Sequence, residues 1–131
     1  MNELTAEQGQ QIGAKLSARR AELLEEIRGE LERSGHEHFQ DLAGEVADVG
    51  DASVADMLMD LDIAMVKRQV EELLQVEQAQ KRFVTATLNT CEQCGEEIGF
   101  ARLMASPIAT RCIGCQEQHE RFYGHEETPK L

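Results

Sequence analysis

Large aromatic rings are almost missing from this sequence. Its 131 residues include no Trp, one Tyr and four Phe. A compact enzyme core of this length would usually carry more of them. Proline is equally scarce, with two residues, and none falls between residues 7 and 88. No apolar run approaches the roughly 20 residues that cross a bilayer. A basic surplus is missing too: 13 Lys and Arg stand against 25 Asp and Glu, a net charge of −12. That balance argues against non-specific nucleic-acid binding, which relies on cations neutralising phosphates. It equally disfavours docking on an anionic membrane. The start, MNELTAEQGQQIG, has neither a basic cluster nor an apolar stretch. No secretory signal is therefore expected, and the cytoplasm is the expected compartment. No nucleophile motif, phosphate loop or open metal site suggests an enzyme.

Charge is also missing locally. Between Arg33 and Lys67 there is no Lys or Arg, while eight acids occur: Glu37, Asp41, Glu45, Asp48, Asp51, Asp56, Asp60 and Asp62. On charge alone this is a solvated acidic face.

What the chain does have is helical periodicity. Glu, Gln, Ala, Leu and Arg dominate residues 7 to 88, and all favour helix. Apolar residues recur in steps of three and four at Ile12, Leu16, Leu23, Leu24, Ile27, Leu31, Leu42 and Val46. They resume at Val54, Leu58, Leu61, Met65, Val70, Leu73, Val76, Phe83 and Val84. Such a stripe marks a helix with one buried face. Gly29, Gly35 and Gly44 weaken the first helix, and Gly35-His36 predicts a kink. Residues 47 to 53 break the pattern with Asp and Gly, and Asp51 or Ser53 is positioned to cap the second helix.

Folding the chain back at Gly50 pairs residues whose numbers add to about 100. Val46 then meets Val54, Leu42 meets Leu58, Phe39 meets Leu61, and Leu31 meets Val70 or Gln69. Ile27 meets Leu73, Leu24 meets Val76, and Leu16 meets Val84. One constant matching so many apolar pairs predicts a long antiparallel two-helix coiled coil over residues 1–90, with its tip at about 48–53. Arms of about 40 residues extend roughly 60 Å. A compact bundle with a third helix is the rival, and the thin stripe and few aromatics argue against it. The acidic stretch then lies at the far end of a rod, with Asp48 and Asp51 at its point.

All four cysteines fall in one segment. Cys91-Glu-Gln-Cys94 is followed after seventeen residues by Cys112-Ile-Gly-Cys115. Two CxxC pairs at this separation predict a tetrahedral four-thiolate zinc site, one Zn(2+) per chain. Gly95 and Gly114 are expected to relieve the tight knuckles. Ile98, Phe100, Leu103 and Ile108 offer a small core, with Pro107 at a turn. So small a module needs metal binding to supply its folding free energy. Disulfides fit poorly without a secretory signal, and a redox CxxC lacks its βαβ setting. An iron–sulfur site also takes four thiolates, and metal analysis separates it from zinc. His119 follows Cys115 by four residues, but four cysteines already complete a closed shell. The finger and a short C-terminal helix, about 113 to 123, occupy 91–124, and 125–131 reads as a flexible tail. His36, His38 and His125 have no partners at ligand spacing.

The hairpin, the acidic tip and the finger together resemble the DksA/TraR family of bacterial regulators that act on RNA polymerase. The likeness rests on Cys91-Glu-Gln-Cys-Gly-Glu-Glu-Ile, Arg102-Leu103, Pro107 and Cys112-Ile-Gly-Cys-Gln. The tip, Asp48-Val-Gly-Asp51-Ala-Ser53, is similar to the family's Asp-x-x-Asp-x-Ala pattern, with Ser53 for Ala and Val49 for a common Pro. Residues 10 to 123 are covered. The resemblance implies a transcription regulator that enters the polymerase secondary channel, with Asp48, Asp51 and Ser53 as partner-binding residues. It implies a finger packed on the base of the coiled coil and no sequence-specific DNA contact. A monomer is expected, and no membrane partner. Members that act with ppGpp carry cations on the second helix. Arg68 fits one such position, but Gln75 and Glu71 stand where others would be, so no strong ppGpp dependence is expected. Two other functions compete: a zinc-dependent redox-sensing adaptor and a zinc-finger DNA-binding protein. The finger's Arg102 and Arg111 against Glu92, Glu96 and Glu97 disfavour the second.

Overall fold

A computed structural model describes residues 3–33 and 52–127. These form five helices: α1 (Ala6–Arg33), α2 (Ala52–Asp60), α3 (Ala64–Val84), α4 (Phe100–Ala105) and α5 (Ile113–Glu127). Among the described residues there is no strand, only an isolated antiparallel bridge between Thr90 and Glu97. The mainly helical architecture expected from periodicity is present.

The start of α1 is written in Thr5-Ala-Glu-Gln8. The Thr5 hydroxyl accepts from the Gln8 amide at 3.0 Å, and Gln8 Oε1 accepts from the Thr5 amide at 3.1 Å. This reciprocal box satisfies two amides that the first turn leaves without partners. Glu25–Arg28 and Glu30–Arg33 pairs then brace the exposed face.

The apolar face of α1 packs on α3, running antiparallel. Ile12, Leu16, Leu23, Ile27 and Leu31 meet Val66, Val70, Leu73, Val76 and Ala79, all buried. Burying each Leu or Ile is worth roughly 1.5–3 kcal/mol. Between Leu16 and Leu23 the stripe lacks an apolar residue, and two arginines reach across instead. Arg19 grips the Glu72 carboxylate with two bonds, Nε to Oε2 at 2.7 Å and Nη2 to Oε1 at 2.8 Å. Arg20 Nη2 lies 3.1 Å from Glu77 Oε2.

The register differs from the expected one. Arg19 with Glu72, Arg20 with Glu77, and Gly13 beneath Phe83 have numbers adding to 91, 97 and 96, below the expected 100. Leu16 accordingly does not face Val84, which is 82% exposed and ends α3. Phe83 covers that level, its ring over Gly9 and Gly13. Met65, expected on the stripe, is 42% exposed, and its neighbour Val66 is buried instead.

The second arm is also not one helix. It breaks at Leu61–Ile63, where Asp62 has φ +59 and Ile63 is extended. Continuing from the buried Leu58 in steps of four toward Val66 puts Asp62 on the apolar seam. A continuous helix would bury its carboxylate. The break sends that side chain into solvent, 85% exposed, where Lys67 Nζ donates to Oδ1 at 2.6 Å. Ile63, the one extended residue of the joint, advances about 3.3 Å where a helical residue advances about 1.5 Å, which lowers the paired numbers by roughly one.

The finger follows α3 and docks on the hairpin base. Lys15 Nζ of α1 donates to the Met104 carbonyl at the end of α4, 2.6 Å away. Leu88 and Leu103 are buried there. α5 runs to Glu127, beyond the expected end near 123 and three residues into the expected tail. Phe39, Leu42, Val46, the Gly35-His36 kink and the turn at 47–51 lie outside the described residues.

Candidate metal centre

The first knuckle is built by backbone bonds around Cys91. The Gln93 and Cys94 amides point at Cys91 Sγ, at 3.4 and 3.5 Å. The Cys91 carbonyl accepts from Gly95 N at 3.0 Å, and its amide donates to the Glu96 carbonyl at 2.8 Å. Gly95 has φ +79, a conformation that side-chain-bearing residues avoid, so the expected relief is real there. At Gly114 it is not needed: that residue is helical, and a Cβ would meet nothing within 4 Å. The second knuckle is instead the opening of α5, with Gln116 N bonded to the Cys112 carbonyl at 2.9 Å.

These two turns bring all four Sγ atoms within 4.8 Å of one another. The Cys94 and Cys112 sulfurs are 3.8 Å apart. That is too far for a disulfide, whose sulfurs lie about 2.05 Å apart. It fits the edge of a tetrahedron with zinc–sulfur bonds of about 2.3 Å. Burial pushes the Cys91 thiol up, but the amides of Cys94, Cys112 and Gln93 outweigh it and hold it at about 6. Cys115 goes the other way, pushed up to about 12 by hydrogen bonds with the Cys112 and Cys94 sulfurs and by burial. Four sulfurs this close cannot all ionise beside one another; a divalent cation removes that conflict. The donor set therefore fits zinc, which would tie the two knuckles together with no open position left for catalysis. His119 is not part of this cluster.

Side chains outside the four cysteines link the knuckles, and the spacing gave no sign of them. Arg111 reaches Gln93 Oε1 at 3.2 Å, Glu92 at 3.4 Å and Gln116 Oε1 at 3.4 Å. Arg102 Nε donates to the Arg111 carbonyl at 2.8 Å. Both finger arginines thus bond within the module. Asn89 is buried; its Oδ1 accepts from Gly99 N at 2.7 Å and its carbonyl from Ile98 N at 2.9 Å. An Asn two residues before a CxxC is the only signal a sequence offers for that role. Gln75 lines a shallow cavity of about 310 Å³ between α3 and the finger loop, and Arg82 is the one cation among its lining residues.

Of the expected tip residues, Asp48 and Asp51 lie outside the described residues, and Ser53 falls in the first turn of α2. The tip and the thiol cluster belong to different parts of the chain.

The family model of the prokaryotic dksA/traR C4-type zinc finger matches residues 86–121, the segment holding both knuckles. Along most of the chain, the RNA polymerase-binding transcription factor DksA of Caulobacter vibrioides is 34% identical over 107 residues, 82% of this chain and 72% of that protein. The chain belongs to the DksA/TraR family. The DksA relative of Escherichia coli is 31% identical over 91 residues, 70% of this chain and 60% of its own. The fold of transcription factor DksA2 from Pseudomonas aeruginosa is similar, with a TM-score of 0.63 at 24% identity, covering 92% of this chain and 88% of that one. Both DksA relatives are named as RNA polymerase-binding transcription factors. No described helix is long and apolar enough to cross a membrane.

Proposed function

We propose that this chain binds RNA polymerase directly and regulates transcription, entering the secondary channel with the far end of its hairpin. Asp48, Asp51 and Ser53 are the tip that acts near the active site and modulates initiation. Cys91, Cys94, Cys112 and Cys115 hold one zinc ion per chain, which keeps the finger folded on the hairpin base. The functional parts are then the hairpin, 1–90, the finger with its helix, 91–124, and a tail, 125–131. The protein works as a cytoplasmic monomer, without sequence-specific DNA contact and without strong ppGpp dependence. Its support is the 34% identity, over 82% of the chain, to a protein named for binding RNA polymerase. The charge map agrees: the stretch from 34 to 66 holds eight acids and no Lys or Arg. Gln75 and Glu71, where cations would grip a phosphate, support the ppGpp reading.

The test is a pull-down of core RNA polymerase by the zinc-loaded chain, competed with another secondary-channel factor. Capture lost to the competitor is expected; capture that the competitor leaves untouched places the contact elsewhere. The double variant Asp48→Asn, Asp51→Asn should still bind but lose its effect on initiation from sensitive promoters. Glu37→Gln with Asp41→Asn, the same charge change away from the tip, should matter less. Full regulation by the tip variant removes the tip mechanism, and equal loss in both variants makes bulk acidity the cause.

A further inference from the structure

We propose that the joint between α2 and α3 is a hinge in the second arm, held open by the carboxylate of Asp62. Three independent features meet there. The helical ladder is interrupted: Leu61 N bonds back to the Leu58 carbonyl and Asp62 N to that of Met59, both at 3.3 Å, in a tightened last turn. The ladder restarts only with Lys67 N on the Ile63 carbonyl at 2.9 Å. Asp62 itself sits at φ +59, a left-handed conformation that Asp tolerates better than most side chains. And the apolar stripe does not stop at the break. Ala55 and Leu58 are buried before it, and Val66 and Val70 after it, at the spacing of one continuous helical face.

Backbone and stripe therefore disagree. Nothing in the stripe asks for a break except residue 62, which a continuous helix would turn into the seam as a charge. Proline and glycine, the usual breakers, are absent from Ala52–Val84. With the ladder open, α2 can change direction relative to α3 at residues 61–63 while Ala55 and Leu58 continue the apolar cluster of the seam. This inference stands apart from polymerase binding, because its test reads the free protein.

The experiment is amide hydrogen exchange, residue by residue, on the zinc-loaded full chain and its variants at position 62. Asp62→Leu supplies the missing apolar residue. It should fuse α2 with α3 and slow exchange at residues 61–66 by about ten-fold or more. Asp62→Gly favours the left-handed conformation and should leave exchange there as fast as in the parent. Asp62→Ala carries the same expectation as Leu and serves if Leu prevents folding. Unchanged exchange in both the Leu and Ala variants overturns the proposal, since something other than the carboxylate then holds the joint open.

Discussion

In the paired helices α1 and α3, ten apolar side chains are buried along one seam, and the polar contacts lie beside it. In the finger, the buried apolar residues besides cysteine are Leu88, Ile98, Leu103 and Ala109. Phe100 and Ile108, counted toward its core from the sequence, are only partly buried. Its order comes from backbone bonds aimed at sulfur and from polar side chains such as Asn89 and Arg111. The hairpin is thus a burial structure whose parts are nearly interchangeable apolar residues. The finger is a ligand-built structure in which single atoms matter.

The largest effect that separates the two regions is loss of the metal. Structural zinc supplies on the order of 10 kcal/mol to modules of this kind. Cys115→Ser, or chelation of the parent, should expose the segment between Cys91 and Cys112 to protease. Most of the helical circular dichroism should survive, because α1 and α3 do not depend on it. Elemental analysis of the reduced parent should give one zinc per chain. Collapse of the whole helical signal would mean that the seam cannot stand alone.

The next effect breaks the seam. Ile27 is fully buried against α3. Large-to-small core changes cost about 2–5 kcal/mol, and a two-helix seam relaxes more easily than a globular core. Ile27→Ala should therefore lie near the bottom of that range, seen as a lower melting temperature with zinc still bound.

A smaller effect changes sign between the regions. Gly9 is helical, and a Cβ there would sit 3.6 Å from the Phe83 ring, an ordinary contact. Gly9→Ala should stabilise the protein by about 0.5–1 kcal/mol. Gly95 has open space around it but a φ of +79. Gly95→Ala should cost about 1 kcal/mol through backbone strain alone. Paired thermal melts decide both, and equal signs would show that space rather than dihedral angle rules the finger.

The smallest effect is electrostatic. The Glu72 carboxyl is held below its ordinary value of 4.5 by the hydrogen bonds from Arg19, against some desolvation. A carboxylate lowered on folding contributes its stability above the unfolded value, and loses it as pH falls through the folded one. Both partners are about a third exposed, so the contribution is below about 1 kcal/mol. The parent should exceed Glu72→Gln in stability at pH 7, and the gap should close on acidification below pH 4.5. A gap independent of pH would assign the effect to packing.

The same contrast explains what could be read from the sequence. The thiol cluster was legible because CxxC is a local pattern, and each knuckle needs only its own few residues. The seam was legible as a set of residues, because period three-to-four repeats over two long arms. Its register was less so. Counting from a turn assumes unbroken arms, and the joint at Asp62 violates that assumption with a single residue. Val84 was placed on the seam because the stripe cannot announce where the helix ends. Asn89, Arg111 and Lys15 were invisible because they bond to backbone or to distant side chains, which leaves no periodic trace.

The bond from Lys15 to the Met104 carbonyl joins residues 89 positions apart. During synthesis, α1 leaves the ribosome with its apolar stripe bare. Arg19 waits for Glu72, 53 residues later, and Lys15 waits longer still. At about 5–20 residues per second, that last wait is roughly 4–18 seconds. Until α3 has been made to cover it, the nascent N-terminal arm presents Ile12, Leu16, Leu23, Ile27 and Leu31 to whatever apolar surface is nearest, so the newly made chain is most vulnerable to misassociation before its thiols have even been translated.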